Sequence, residues 1–452
     1  MKKIFFVLFF LVSLQIHCEE NLIYRVVIDP GHGGAPTKSK DDKWDPITET
    51  YLDHYNIGMR YKNYYEYKIV LEIGKKVYKY LQLTEKNWKQ FENILREFSD
   101  QKEFKRIQIQ SFLTRTINWE NTKLKETNPN VNDLFRLYDY PKKNKIMPGR
   151  ISRINALKPH LVVSIHLNPG GSEHPGGMAA VLAPGFKTFE LIKNISLGKQ
   201  NIQQFDQLAW APYWLVNESG WTKLEMAISD TWVYFHGYKW NKNTKKPWLG
   251  KNRGIRYNMV QWIYQDDKDW VQRAKEQREK GLPGPYTLDY TKYIASGKFW
   301  EREQSELEYW RRESPLPEMK IAFGGDNHYA SDELLRFIQY GVRIQTSKKN
   351  KKIKMGAILD PFVSTYGLPT LVNAICAYLE IAHLDVQQDR EFVLKYQEEI
   401  AKSLAVGIYS LFVGLELKKD YNGVFKPRGI NVDYNKYIEH KDGNYFEKVV
   451  QN

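Results

Sequence analysis

Strand-like and helix-like segments alternate through the first half of this 452-residue chain. That alternation predicts an α/β fold, with a central, mostly parallel sheet flanked by helices and broken by a largely helical insertion. Two further observations agree. Short apolar runs stop at Pro, Gly or His, where strands give way to loops. Between them, apolar residues recur at a spacing of four, the mark of a helix face.

Residues 24–28 form the first strand, and Val26-Val27-Ile28 runs into Asp29-Pro30-Gly31-His32-Gly33-Gly34. The polar, aromatic-rich stretch 35–63 reads as a loop. Ile69, Ile73, Val77 and Leu81 share one helical face. Residues 85–105 are charged and helical, and 112–115 end a second strand. Residues 118–148 carry Pro129, Pro141 and Pro148 and read as loops. A helix over 150–157 precedes a strand over 161–165, which delivers His166. Another strand covers 179–182. Residues 266–352 are rich in Lys, Glu, Gln, Trp and Tyr and form the predicted insertion. The core pattern returns at 356–359. The last long helix spans 389–412, with Ile400, Leu404, Ile408 and Leu411 on one face. Residues 416–452 are a polar tail, so the α/β domain is expected over 21–415. No internal repeat is present.

Hydrophobic residues make up 42% and aromatics 14%, enough for a sizeable core and too many for wholesale disorder. The net charge of +14 favours polyanions, among them acidic cell-wall polymers. The lysines are scattered, with no compact basic motif with interleaved aromatics, so nucleic acid is not an expected partner. Lys2, Lys3 and the apolar run 4–16 read as a secretory signal, placed at 1–18. The run is short for a membrane span, and no later segment is long and apolar enough for one. The expected location is therefore outside the cytoplasm, in the periplasm or cell envelope. Leu14-Gln15-Ile16-His17-Cys18 loosely resembles a lipoprotein site, which leaves a lipid anchor at Cys18 open. The only other cysteine is Cys376. The mature chain is expected to have no disulfide, and a Cys₄ zinc site is excluded.

A hydrolytic zinc site takes three protein ligands and keeps one position for water. His32 follows the first strand, His166 follows Val162-Val163-Ser164-Ile165, and Glu66 opens the amphipathic helix. Sites in open α/β sheets gather at the carboxyl ends of strands, where both histidines stand. Each residue also has a plainer reading. His32 suits a turn, His166 a buried hydrogen bond, and Glu66 a helix N-terminus.

The pieces Ile28-Asp29-Pro30-Gly31-His32-Gly33-Gly34, the Glu66 helix, Leu113-Thr114-Arg115-Thr116, Arg153 with Ser164-Ile165-His166-Leu167-Asn168, and Arg253-Gly254-Ile255-Arg256 occur in one order. In these the chain resembles the zinc-dependent N-acetylmuramoyl-L-alanine amidases. The resemblance implies Zn²⁺ held by His32, Glu66 and His166, and cleavage of the amide between N-acetylmuramic acid and L-alanine in peptidoglycan. It implies Glu380 as the catalytic base, with Asp360 as the rival; Asn168, just past His166, reads as a substrate contact or as a residue that orients the site. It makes peptidoglycan the partner and leaves room for an activator protein. The chain departs from the family in two ways. The 34-residue interval from His32 to Glu66 is long, and Glu49 and His54 within it are substitute ligands. Ala382-His383-Leu384 replaces the family's residues after the catalytic Glu, and His383 reads as a surface residue, with a substrate contact as the alternative. The alternatives are an inactive amidase-fold protein that binds or scaffolds the wall, a zinc hydrolase of another amide, and a helix over 370–384 that would carry Glu380 without chemistry.

Overall fold

The computed structural model describes residues 23–34, 57–118, 150–171, 174–217, 219–236, 324–347, 354–372, 374–419 and 423–431. It also describes short pieces at 44–45, 50–51, 120–121, 137, 140–142, 145–147, 240–241, 246–247, 312 and 421. The signal segment with Cys18, the substitutes Glu49 and His54, residues 253–256, most of 266–352 and the tail beyond 431 lie outside the described residues.

Six strands form the sheet: β1 (Ile23–Pro30), β2 (Gln108–Leu113), β3 (Leu161–Asn168), β4 (Ala179–Leu182), β5 (Phe362–Val363) and β6 (Ile375–His383). Their order is β5-β4-β6-β3-β1-β2. β1 runs parallel to β2 and β3, and β3 runs parallel to β6. β4 is antiparallel to β6, and β5 is parallel to β4. The sheet is thus mostly parallel, as expected. Every residue of β6 is buried, and so is every residue of β3 except Asn168. Strands covered on both faces need such continuous apolar runs. A helix over 370–384 is overturned, since residues 375–383 pair with β3 as a strand.

The principal helices are α1 (Glu66–Leu81), α2 (Trp88–Phe98), α3 (Arg150–Ala156), α4 (Phe186–Ser196), α5 (Lys223–His236), α6 (Gly325–Ser347), α7 (Gln387–Lys395) and α8 (Gln397–Val413). The predicted α1 face is found: Ile69, Ile73, Val77 and Leu81 are buried against β1, β2 and β3. α8 packs on α1 and α6, and α6 covers β6 and β4. The single helix expected over 389–412 is two, α7 and α8, separated at Tyr396, whose backbone leaves the helical region (φ −113°, ψ 28°).

Two regions have more core character than their composition suggested. α6 falls inside 266–352, yet Ala330, Leu334, Phe337 and Ile338 are buried in the main core. This part of the stretch is an integral layer of the sheet domain. In the polar tail, Leu417 is buried and Arg428 binds Asp332 at 2.8 Å and Glu333 at 3.1 Å, which fastens residues up to 431 onto α6. Among the described residues, no helix is long and apolar enough to cross a membrane.

Candidate metal centre

The site is assembled at the carboxyl ends of β1 and β3 and the N-terminus of α1. Asp29, near the end of β1, is fully buried. Thr114 Oγ1 donates to its Oδ1 at 2.6 Å, Arg150 Nη1 to Oδ1 at 3.1 Å, and Ser164 Oγ to Oδ2 at 2.8 Å. Burial pushes this carboxyl up, but Arg150 and these hydroxyls outweigh it and hold the group below the usual carboxylate range. Arg150 also donates to His32 O at 2.8 Å. Arg115, buried itself, donates to Pro30 O at 2.9 Å, and to Gly31 O and Tyr67 O at 2.8 Å each. The loop after β1 is therefore held by two guanidinium groups. That restraint keeps His32 in left-handed backbone (φ 58°), an uncommon state for a side-chain-bearing residue.

Glu66 is the first residue of α1 and is buried. Its Oε1 accepts from Leu167 N at 2.9 Å and its Oε2 from Met59 N at 2.5 Å. A Cβ at Gly58 would lie 2.3 Å from Glu66 Oε2, so glycine makes room for the carboxylate. Glu66 Oε1 is 3.1 Å from His32 Nε2 and 2.9 Å from His166 Nδ1, and the two imidazole nitrogens are 3.2 Å apart. A Cβ at Gly31 would fall 2.2 Å from His166 Cε1. On its other side the His166 ring stacks on Tyr378, with centroids 4.4 Å apart and planes at 13°.

His32, Glu66 and His166 thus each offer a donor atom, all within 4.8 Å of one another. Burial alone would raise the Glu66 carboxyl, but His32 and His166 beside it reverse this and hold it well below the usual range. Burial also lowers the His166 imidazole, favouring its neutral, metal-binding form. Two imidazole nitrogens facing one carboxylate oxygen at such distances suit a shared cation, and His₂Glu is a zinc donor set. The residues present fit the metal that the motifs imply.

Glu380 pairs with His166 across β6 and β3, so their Cα atoms lie about 5 Å apart and their side chains share a face. It is buried, and among the described residues its Oε2 has no hydrogen-bond partner. Burial pushes this carboxyl well above the usual range, and the Glu66 charge adds to the rise. The rival Asp360 is exposed just before β5, the sheet's outer strand, and is not brought to the cluster. Asn168 lies two residues beyond His166, half-buried at the end of β3. His383 is buried, not on the surface, and its Nδ1 faces Asp389.

Sequence reasoning missed the supports: Asp29 as a hub, Arg150, Tyr378 and Gly58. One signal was available, a charged residue at the end of an apolar strand, directly before the His32 loop.

No protein-family profile matches the sequence, and no curated protein does. Among solved structures, the chain is similar to an N-acetylmuramoyl-L-alanine amidase from Clostridium difficile 630, at 13% identity over 86% of this chain and 96% of that one, TM-score 0.30. It is also similar to AmiC2 of Nostoc punctiforme, an N-acetylmuramoyl-L-alanine amidase, at 11% identity over 85% and 94%, TM-score 0.28. A third is the CwlD amidase from Clostridioides difficile in complex with the GerS lipoprotein, at 12% identity over 85% and 96%, TM-score 0.31. These likenesses are faint, and the chemistry of the site rests on its own side chains.

Proposed function

We propose that this chain is a metal-dependent cell-wall hydrolase that cuts the amide bond between N-acetylmuramic acid and L-alanine in peptidoglycan. The observation that carries the reading is the meeting of His32, Glu66 and His166 on the sheet face that also buries Glu380. The three would hold Zn²⁺, which supplies a Lewis acid and a bound water with a pKa of about 7.

The protein's own groups do the rest. Burial raises the proton affinity of the Glu380 carboxyl, so in its ionised form it is a strong enough base to take a proton from the attacking water and, once protonated, to give it to the leaving amine nitrogen. Its Oε2, without a partner among the described residues, leaves an acceptor for that transfer. Asn168, on the same face of β3 as His166, is placed to hydrogen-bond the substrate. The Asp29–Arg150 pair and Arg115 fix His32 in its strained backbone, which keeps the donor set pre-organised. The excess positive charge suits an anionic wall polymer. Export to the periplasm or envelope, by the signal at 1–18 or with a lipid anchor at Cys18, belongs to the same reading, as does an activator protein.

The test is to digest purified sacculi with the zinc-loaded full chain and analyse the products by mass spectrometry. Peptide-free glycan strands with free stem peptides are expected. Unchanged sacculi that retain the protein would make it a wall-binding or scaffold protein on this fold. Cleavage elsewhere would make it a hydrolase of another amide.

A further inference from the structure

Past Glu380, β6 gains a residue. Glu380 pairs with His166, but the next partner of β3, Asn168, stands opposite His383 and not Ala382. This is a β-bulge, a device that re-aims a side chain. Side chains alternate along a strand, so without the extra residue His383 would face away from Glu380. The bulge returns it to the face shared by His166, Asn168 and Glu380.

His383 is held in one sense. Its Nδ1 lies 3.1 Å from Gly177 O and 3.3 Å from Asp389 Oδ2. Both are acceptors, so Nδ1 carries the hydrogen, and in the neutral ring Nε2 is left with a lone pair. Asp389 is fixed in turn, because its Oδ2 also accepts from Gly177 N at 2.7 Å and His383 N at 2.9 Å. The His174 ring lies against His383, with centroids 4.0 Å apart and planes at 31°. His174 is held in the opposite sense. Gly176 N donates to its Nδ1 at 3.0 Å, so in the neutral ring Nε2 carries the hydrogen. Burial, with His383 beside it, lowers the His174 imidazole and favours that neutral ring. The loop bearing His174 is anchored too, since Gly170 N and Gly171 N donate to the Asp385 carboxylate at 2.9 and 2.8 Å.

We propose that His174 and His383 form a subsite for one extended residue in the peptide part of the substrate, His174 Nε2–H donating to its carbonyl oxygen and His383 Nε2 accepting its N–H. One donor and one acceptor on adjoining rings match the N–H and C=O of one extended residue, which point to the same side. A metal ion fits less well, because it needs both Nε2 atoms bare and the Gly176 bond keeps a hydrogen on one of them. The subsite lies two positions of β3 beyond Glu380, since Glu380 pairs with His166 and His383 with Asn168; that is about 7 Å, or roughly two residues of extended peptide. The bound residue is thus the second of the stem peptide, next to the one whose amide is cut. This assignment rests on the amidase reading for the identity of the peptide.

The experiment uses the full chain carrying Glu380→Gln, with N-acetylmuramoyl-L-alanyl-D-isoglutamine as the probe. Nitrogen-15 NMR of the imidazoles reads the tautomers, and calorimetry reads the affinity. His174→Asn and His383→Asn each keep the inward hydrogen bond and remove the outward nitrogen. The expected result is Nδ1–H at His383, Nε2–H at His174, and a loss of affinity of about tenfold in each variant, the size of one hydrogen bond. The reverse tautomers, no binding of the probe, unchanged affinity in both variants, or a second zinc equivalent lost with either one would overturn the subsite. Hydrolysis of sacculi by the otherwise wild-type chain reads the amidase proposal separately. Binding through the pair without hydrolysis removes only that proposal, and hydrolysis with binding unchanged in the variants removes only the subsite.

Discussion

Asp29 and Glu380 are both buried carboxyl groups on one face of the sheet, two strands apart, and their surroundings are opposite. Asp29 is ringed by Thr114, Arg150 and Ser164 and is held ionised. Glu380 keeps one oxygen without a partner among the described residues and is pushed toward its neutral form. A buried carboxylate that receives donors on both oxygens is a fixed structural charge. One left partly unsatisfied is costly to the fold, and the cost is explained if it moves protons. Under the proposed function, the difference separates the part of the site that holds shape from the part that would do chemistry.

The comparison can be pressed experimentally, beginning with the largest effect. Glu66→Ala removes one of the three donors and the acceptor for Leu167 N and Met59 N. Zinc affinity should fall by at least about 100-fold, beyond what loss of an outer-shell partner costs, as read by competition with a chromogenic chelator. Asp29→Ala leaves Arg150 buried without its carboxylate. The fold should lose about 3–5 kcal/mol in urea unfolding, a loss of a kind not expected from neutral replacement of Glu380.

pH separates the two groups by sign. Asp29 binds its proton less tightly when folded, so its contribution is complete above the ordinary value of 3.8 and is lost as pH falls below it. Glu380 binds its proton more tightly when folded, so its contribution is present below 4.5 and is lost as pH rises toward its raised value. In chelator-treated protein, the wild-type melting temperature should drop relative to Glu380→Gln as pH rises from 4.5 to about 7. A constant difference would mean that the two carboxyls are not distinguished by their surroundings. The smallest expected effect is that of Asn168→Ala, a rise in KM of about tenfold or less with kcat unchanged, the loss of one substrate hydrogen bond, read in steady-state kinetics.

Much of the frame was legible in the sequence. Val26-Val27-Ile28 and the run before His166 are continuous apolar strands because they lie inside a parallel sheet. His32 and His166 stand out because imidazoles follow those runs directly. Glu66 was legible through the start of its helix, although the loop before it gave no measure of how far the chain travels. Other features depend on contacts distant in sequence. Asp29 meets Arg150 across 121 residues. α6 hides its buried face within a charged, aromatic composition. His383 reads as a polar surface residue, because nothing in Ala382-His383-Leu384 signals the bulge that turns it inward.

The central claim, that Glu380 does chemistry beside a metal held by other residues, is tested most directly by comparing zinc-loaded wild type with Glu380→Gln on the same sacculi. Both proteins should carry one zinc per chain, and only the wild type should release stem peptides, with the variant slower by about 10²–10⁴-fold. Release by the variant at the wild-type rate, or a variant that no longer holds zinc, would contradict it.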